Sequence, residues 1–102
     1  MAINVNIRDN AARLSMSGRF DFQVHREFKD AYSAQLSNAA VKEIEIEMSR
    51  VEYLDSSALG MLILLNERAK EAKKNVVLLS PSAVVEQVLN VANFGKIFTI
   101  KP

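Results

Sequence analysis

The sequence predicts an α/β domain: a mixed, mostly parallel sheet of four or five strands, with three or more helices gathered mainly on one side. Three observations carry this. Apolar and polar residues alternate over short segments, the period of a half-buried strand. Between those segments, apolar residues recur at helical spacing instead. The polar positions of the third strand are all glutamates, Glu43, Glu45 and Glu47, and such a wet face argues against helices on both sides of the sheet.

Ile3, Val5 and Ile7 alternate with Asn4, Asn6 and Arg8, which predicts a first strand. Asp9-Asn10 supplies turn chemistry. Alternation resumes from Arg13 to Ser17 through Leu14 and Met16, so the two segments form a hairpin. Gly18 breaks the pattern, and Asp21 is the expected N-cap of a helix from Phe22 to about Ser37, built on Val24, Phe28, Ala31 or Tyr32, and Leu36. Glu43 to Met48 is the third strand. Asp55-Ser56-Ser57 opens a second helix with Leu59, Leu62, Ile63 and Ala69 inward, and Asn75 ends it. Val76 to Leu79 is a fourth strand. Ser80-Pro81-Ser82 caps a third helix on Val84, Val85, Val88, Leu89 and Ala92, and Ile97 to Ile100 closes the sheet as an edge strand.

Length and composition limit the function classes. The chain has 102 residues, which suits one domain over residues 1–102. It has no cysteine, which removes disulfides, thiolate nucleophiles and cysteine metal sites and fits a reducing compartment. The net charge is +1 and the charges are interspersed, so no basic block offers a track for a nucleic-acid backbone. Lys70, Lys73 and Lys74 alternate with Glu67 and Glu71, the pattern of a solvated helix face. The start of the chain lacks the layout of a signal peptide. The longest apolar run, Ala58 to Leu65, is too short to insert in a membrane. These features predict a cytoplasmic protein.

If the second, third and fourth strands are parallel, the loops that leave them share one edge of the sheet. Ligands and partners dock at that edge in open α/β sheets. The loops hold Gly18 to Phe22, Ser49 to Ser56, and Ser80 to Ser82, so Asp21, Asp55, Ser56 and Ser82 form one candidate patch. Ser56 stands out. A hydroxyl at a helix start lies near unsatisfied amides and the positive end of the helix dipole. A phosphate there brings about −1.5 to −2 charges that the helix end accepts and a docked partner does not. Ordinary N-capping explains the same three residues. No Gly-x-Ser-x-Gly elbow is present, and a Ser56–His25–Asp21 triad is less economical than a cap and a helix face. Met16, Met48 and Met61 read as core filler, and the three glutamates have no histidine partner for a metal. No catalytic constellation, metal site or cofactor is therefore expected.

The stretch Val51-Glu-Tyr-Leu-Asp55-Ser56-Ser57-Ala-Leu-Gly60 resembles the signature of STAS-domain anti-sigma factor antagonists. Gly18-Arg-Phe-Asp21, Val76-Val-Leu-Leu-Ser-Pro and Phe94-Gly-Lys-Ile-Phe fit the same layout, so the resemblance covers essentially the whole chain. Gly-Arg-Phe-Asp-Phe looks like the single-domain proteobacterial type, found in partner-switching pathways that control biofilm, motility or stress responses. The resemblance implies a non-enzymatic protein that is phosphorylated at Ser56 by a serine kinase, often itself the anti-sigma factor. It implies a PP2C-type phosphatase that reverses the modification, and a monomer when free. Asp21, Asp55, Ser56 and Ser57 become the expected partner-binding residues: Asp55 orients the loop or meets the kinase's nucleotide-metal site, Asp21 shapes the docking loop, and Ser57 caps the helix or is a secondary acceptor. Ala58 replaces the usual glycine, and fits if that position is right-handed helical. Arg19 and Phe20 depart from the commoner Gly-Glu-Leu-Asp form, which implies an altered partner choice. The alternative within the family is a constitutive STAS adaptor subunit of a transport complex with no phosphorylation.

Overall fold

The computed structural model describes residues 1–102. Strands β1 (Ala2–Arg8) and β2 (Ala11–Phe20) form the antiparallel hairpin, joined at Asp9 and Asn10. One 3-10 turn (Phe22–Val24) leads into α1 (His25–Leu36). Then follow β3 (Glu43–Leu54), α2 (Ser56–Glu71), β4 (Asn75–Leu79), α3 (Ala83–Val91), a second 3-10 turn (Phe94–Lys96) and β5 (Thr99–Lys101).

The sheet order is the chain order, β1-β2-β3-β4-β5, and every pair after the hairpin is parallel. Each parallel connection steps the same way across the sheet. Right-handed crossovers that all step one way put every connecting helix on the same face. The expected one-sided arrangement is observed. Phe28 and Tyr32 from α1, Leu62 and Leu65 from α2, and Val85 and Leu89 from α3 join Leu14, Ile44, Ile46 and Leu78 of the sheet in one apolar core. Each such aliphatic or aromatic side chain contributes about 1.5–3 kcal/mol by leaving water. Met16, Met48 and Met61 belong to that core, as expected.

The opposite face has no helices. Glu43, Glu45 and Glu47 line it, and Glu45 accepts from Arg13 Nε at 3.0 Å. Val77, in register between Glu45 and Thr99, is the buried residue outside the main core. Burial raises the Glu43 carboxyl above its ordinary value, and the neighbouring Glu45 carboxyl raises it further by a hydrogen bond and by its charge, while Lys101 acts the other way.

Several boundaries differ from the sequence expectation. β3 does not stop at Met48 but runs to Leu54, so most of the expected loop from Ser49 is strand. Two register shifts against β2, at Ser15/Ser17 and Gly18/Arg19, each insert an extra residue on the β3 side. The buried positions Met48, Val51 and Leu54 are consequently three apart, and alternation disappears there. Gly18 does not end β2 but lies within it at φ +96°, a backbone that an L side chain rarely adopts. The first helix begins at His25, after the 3-10 turn. α2 ends at Glu71, and Asn75 opens β4. Ile63 and Val84 point outward, because the buried stripes run through Ala58, Met61, Leu62, Leu65 and Ala69 in α2 and through Val85 and Leu89 in α3. Ile97 is exposed at the end of a turn, and β5 starts two residues later.

Candidate functional site

The carboxyl ends of β2 and β3 bring the Asp21 and Asp55 segments together. Asp55 has an extended backbone and caps α2: its Oδ1 accepts from the Ala58 amide at 3.0 Å, and its carbonyl accepts from the Leu59 amide at 3.2 Å. The Asp55 amide donates to the Phe20 carbonyl at 3.4 Å, which ties the start of α2 to the end of β2. The cap is therefore Asp55 and not Ser57, which is the second helical residue and half-buried. Ala58, in place of the family glycine, is helical and fully buried, so the substitution fits.

Ser56 is the first residue of α2 and is exposed. Its hydroxyl makes no hydrogen bond within the chain. With the Ala58 and Leu59 amides taken by Asp55, the Ser56 and Ser57 amides remain as the open donors of the helix start. An anion placed on Ser56 meets those donors and the positive end of the dipole.

Asp21 caps the 3-10 turn, accepting from the Gln23 amide at 3.0 Å, and its other oxygen lies 3.6 Å from Arg19 Nε. The Arg19 guanidinium sits 4.0 Å above the centre of the Tyr53 ring. Asp21, Arg19 and Tyr53 thus form a chain across the ends of β2 and β3, next to Asp55. Arg19 is exposed, as its departure from the family form requires for a role in partner choice. Phe20 cannot share that role, because it is fully buried against Phe28, ring centres 5.0 Å apart.

Phe22 and Tyr53 were not singled out from the sequence. Phe22 is 67% exposed and stacks on His25 at 5.5 Å, and Tyr53 is partly exposed beneath Arg19. An aromatic residue placed one position after a cap aspartate is the signal that could have found Phe22. The Ser56–His25–Asp21 relay is not assembled: Asp21 is engaged by Arg19 and Gln23, and His25 packs on Phe22.

Ser82 has its polar groups engaged as a cap. Its Oγ donates to the Val51 carbonyl at 2.7 Å and accepts from the Val85 amide at 3.4 Å, while its amide donates to the Met48 carbonyl at 3.2 Å. Those bonds fix the start of α3 to the bulged part of β3, as a structural cap. A cleft of about 790 Å³ lies beside it, lined by Ser17, Gly18, Ser49, Arg50, Ser82 and Val84.

One helical layer on a mixed sheet, with polar groups gathered at helix starts, places the chain among small α/β domains of a defined kind. The model of the Mlab STAS domain matches residues 3–100. A STAS-domain-containing protein of Pseudomonas aeruginosa is 36% identical over 87 residues, covering 85% of this chain and 84% of that one. The chain belongs to the STAS-domain family. Its fold is shared with an anti-sigma factor antagonist of Mycobacterium paratuberculosis, with a TM-score of 0.87, 20% identity, and coverage of 99% of this chain and 85% of that one. It is shared also with the Bacillus cell fate determinant SpoIIAA in its phosphorylated form, with a TM-score of 0.75, 18% identity, and coverage of 97% and 90%. At such identities the likeness to these two is one of fold. No helix of the chain is long and apolar enough to cross a membrane.

Proposed function

We propose that the protein is an anti-sigma factor antagonist of a partner-switching pathway. Unmodified at Ser56, it binds a serine kinase/anti-sigma partner through the end of the sheet that holds Asp21, Asp55, Ser56 and Ser57. Phosphorylation of Ser56 releases it, and a PP2C-type phosphatase restores the binding form. The protein catalyses nothing itself and acts in the cytoplasm, where such partners work.

One observation carries this reading: Ser56 is exposed with a free hydroxyl, while its neighbour Asp55 does the capping. The serine is spared for chemistry that the fold does not require. A phosphate there carries about −1.5 to −2 charges and three acceptor oxygens, to which the open Ser56 and Ser57 amides donate without loss of the helix. A partner laid over Asp21, Tyr53 and the α2 start meets that same anion at a surface it must desolvate. Arg19 and Tyr53 are of the residue types that dominate binding energy at interfaces.

The constitutive adaptor of a transport complex is the second reading. In its favour, Asp55 completes the cap with Ser56 unmodified, so the folded domain needs no phosphate to be whole. Phosphopeptide mass analysis of the protein from its native cells, with a Ser56→Ala variant beside it, separates the two. A phosphate mapped to Ser56 and lost in the variant supports the switch. Unmodified Ser56 under every growth condition, with a transporter component as the captured partner, establishes the adaptor.

A further inference from the structure

The two edges of the sheet are built differently. β5 has three residues and carries Lys101, and both brevity and lysine keep an edge from pairing. β1 has seven residues, and none from Ala2 to Ile7 is charged or proline. It pairs with β2 in unbroken register, with no bulge to twist it away. Val5 and Ile7 remain 43% and 48% exposed, although their partners across the ladder, Leu14 and Ala12, are fully buried. α1 touches this strand and Ile3 packs on the core, yet Val5 and Ile7 stay uncovered.

The turn fixes which backbone groups face outward. Asp9 and Asn10 have φ values of 51° and 68°, the two positive angles of a type I′ hairpin. Such a turn closes between the Arg8 carbonyl and the Ala11 amide. Groups alternate in direction along an antiparallel strand, so Arg8, Asn6, Asn4 and Ala2 turn theirs to β2. Ile3, Val5 and Ile7 turn theirs to the open edge.

We infer that β1 is a self-association edge, at which a second copy of this chain pairs antiparallel about a two-fold axis at Val5. In that register Val5 faces Val5 of the second copy, Ile3 faces Ile7, and Asn4 faces Asn6. Apolar meets apolar on the helical face and amide meets amide on the other. The outward groups of Ile3, Val5 and Ile7 all find partners. Arg8, the one charge on the strand, opposes Ala2, so the two arginines lie at opposite ends of the interface. Slipping two residues toward the turn sets Ile3 against Asp9, and slipping the other way carries Ile7 beyond the strand. The strand is thus self-complementary, as a two-fold interface requires. One strand pair buries less than the roughly 1,200 Å² of a standard stable interface, so the dimer depends on concentration. The expected free monomer is then the dilute form.

Sedimentation of the full chain over a concentration series tests this, with amide hydrogen exchange on the same samples. The expected mass rises toward twice that of the protomer, and the amides of Ile3, Val5 and Ile7 slow as it does. Val5→Pro removes only an outward-facing amide, which an edge strand tolerates. Val5→Lys places a charge against its own copy. Both variants are expected to keep the wild-type circular dichroism and to stay at protomer mass; should the proline variant unfold, the lysine variant decides. A wild-type mass that never exceeds one protomer overturns the inference. So does a dimer that persists in the folded variant, or one in which the three amides exchange as fast as in the monomer.

Discussion

The Asp55 carboxylate accepts the amide hydrogen of Ala58 at 3.0 Å, and Ser56 lies between the two residues with its hydroxyl free. On the proposed function, structural and regulatory duties fall on adjacent side chains, which makes them separable by substitution. Asp55→Ala leaves the Ala58 amide unpaired and should lower stability by about 1 kcal/mol. Asp55→Asn should recover most of that, and urea unfolding of the pair measures both.

Ser56→Asp adds a negative charge at the positive end of α2, worth about 0.3–1 kcal/mol in favour of the fold. The thermal midpoint should hold or rise slightly. On the proposed function, affinity for the kinase/anti-sigma partner should fall at least tenfold, or about 1.4 kcal/mol. Ser56→Ala should bind like the unmodified protein. Titration calorimetry with the purified partner reads this directly, and equal affinities for the two variants would remove the switch.

Gly18 sits at φ +96° with Met1 backbone 3.4 Å from where a Cβ would stand. The space is ordinary and the backbone angle is not. Gly18→Ala should therefore cost about 1 kcal/mol or more through conformation, since alanine destabilises where φ is positive. Gly60 and Gly95 have open space around them, so a much smaller loss is expected at Gly95, outside any α-helix. Parallel denaturation curves of the two alanine variants give the comparison.

Glu43 predicts a pH effect of a definite sign. Its folded-state value is raised, first by burial and then by Glu45. The native state therefore holds that proton more tightly than the unfolded chain, whose glutamates titrate near about 4.3. Stability from this site falls as pH rises from the ordinary glutamate range through the raised value. Glu43→Gln should raise the melting temperature at neutral pH, and the advantage should shrink as pH falls toward 4. An advantage that is the same at both pH values would refute the assignment.

The sequence made the hairpin, the three helices and the one-sided sheet legible wherever one periodicity ran unbroken. Ile44, Ile46 and Met48 against Glu43, Glu45 and Glu47 is the clearest case. It failed over residues 49–54, because two bulges change the spacing of buried residues from two to three, and a bulge has no signature in a single sequence. It failed for Ile63 because two adjacent apolar residues, Leu62 and Ile63, satisfy a helical period about equally. At the candidate site, the Asp21 cap and a helix start at Asp55-Ser56-Ser57 were legible from local chemistry, but not that Asp55, rather than Ser57, supplies the cap. The Arg19–Tyr53 contact was not, since it joins neighbouring strands whose register the bulges had obscured. The attachment of Ser82 was illegible for the same reason: its partner Val51 lies in the part of β3 that reads as loop.

The sheet order also has a meaning in time. Because each strand lies beside the one made just before it, no strand waits for a neighbour still to be synthesised, and none must be threaded between two that have already paired. Chains emerge from the ribosome amino-terminus first. The β1–β2 hairpin can close as soon as it is free, and each later helix and strand adds to a finished edge. Of the five strands, β5 is laid down last and covers the growing edge with only three residues, while the outer edge of β1 is on offer from the moment the hairpin closes.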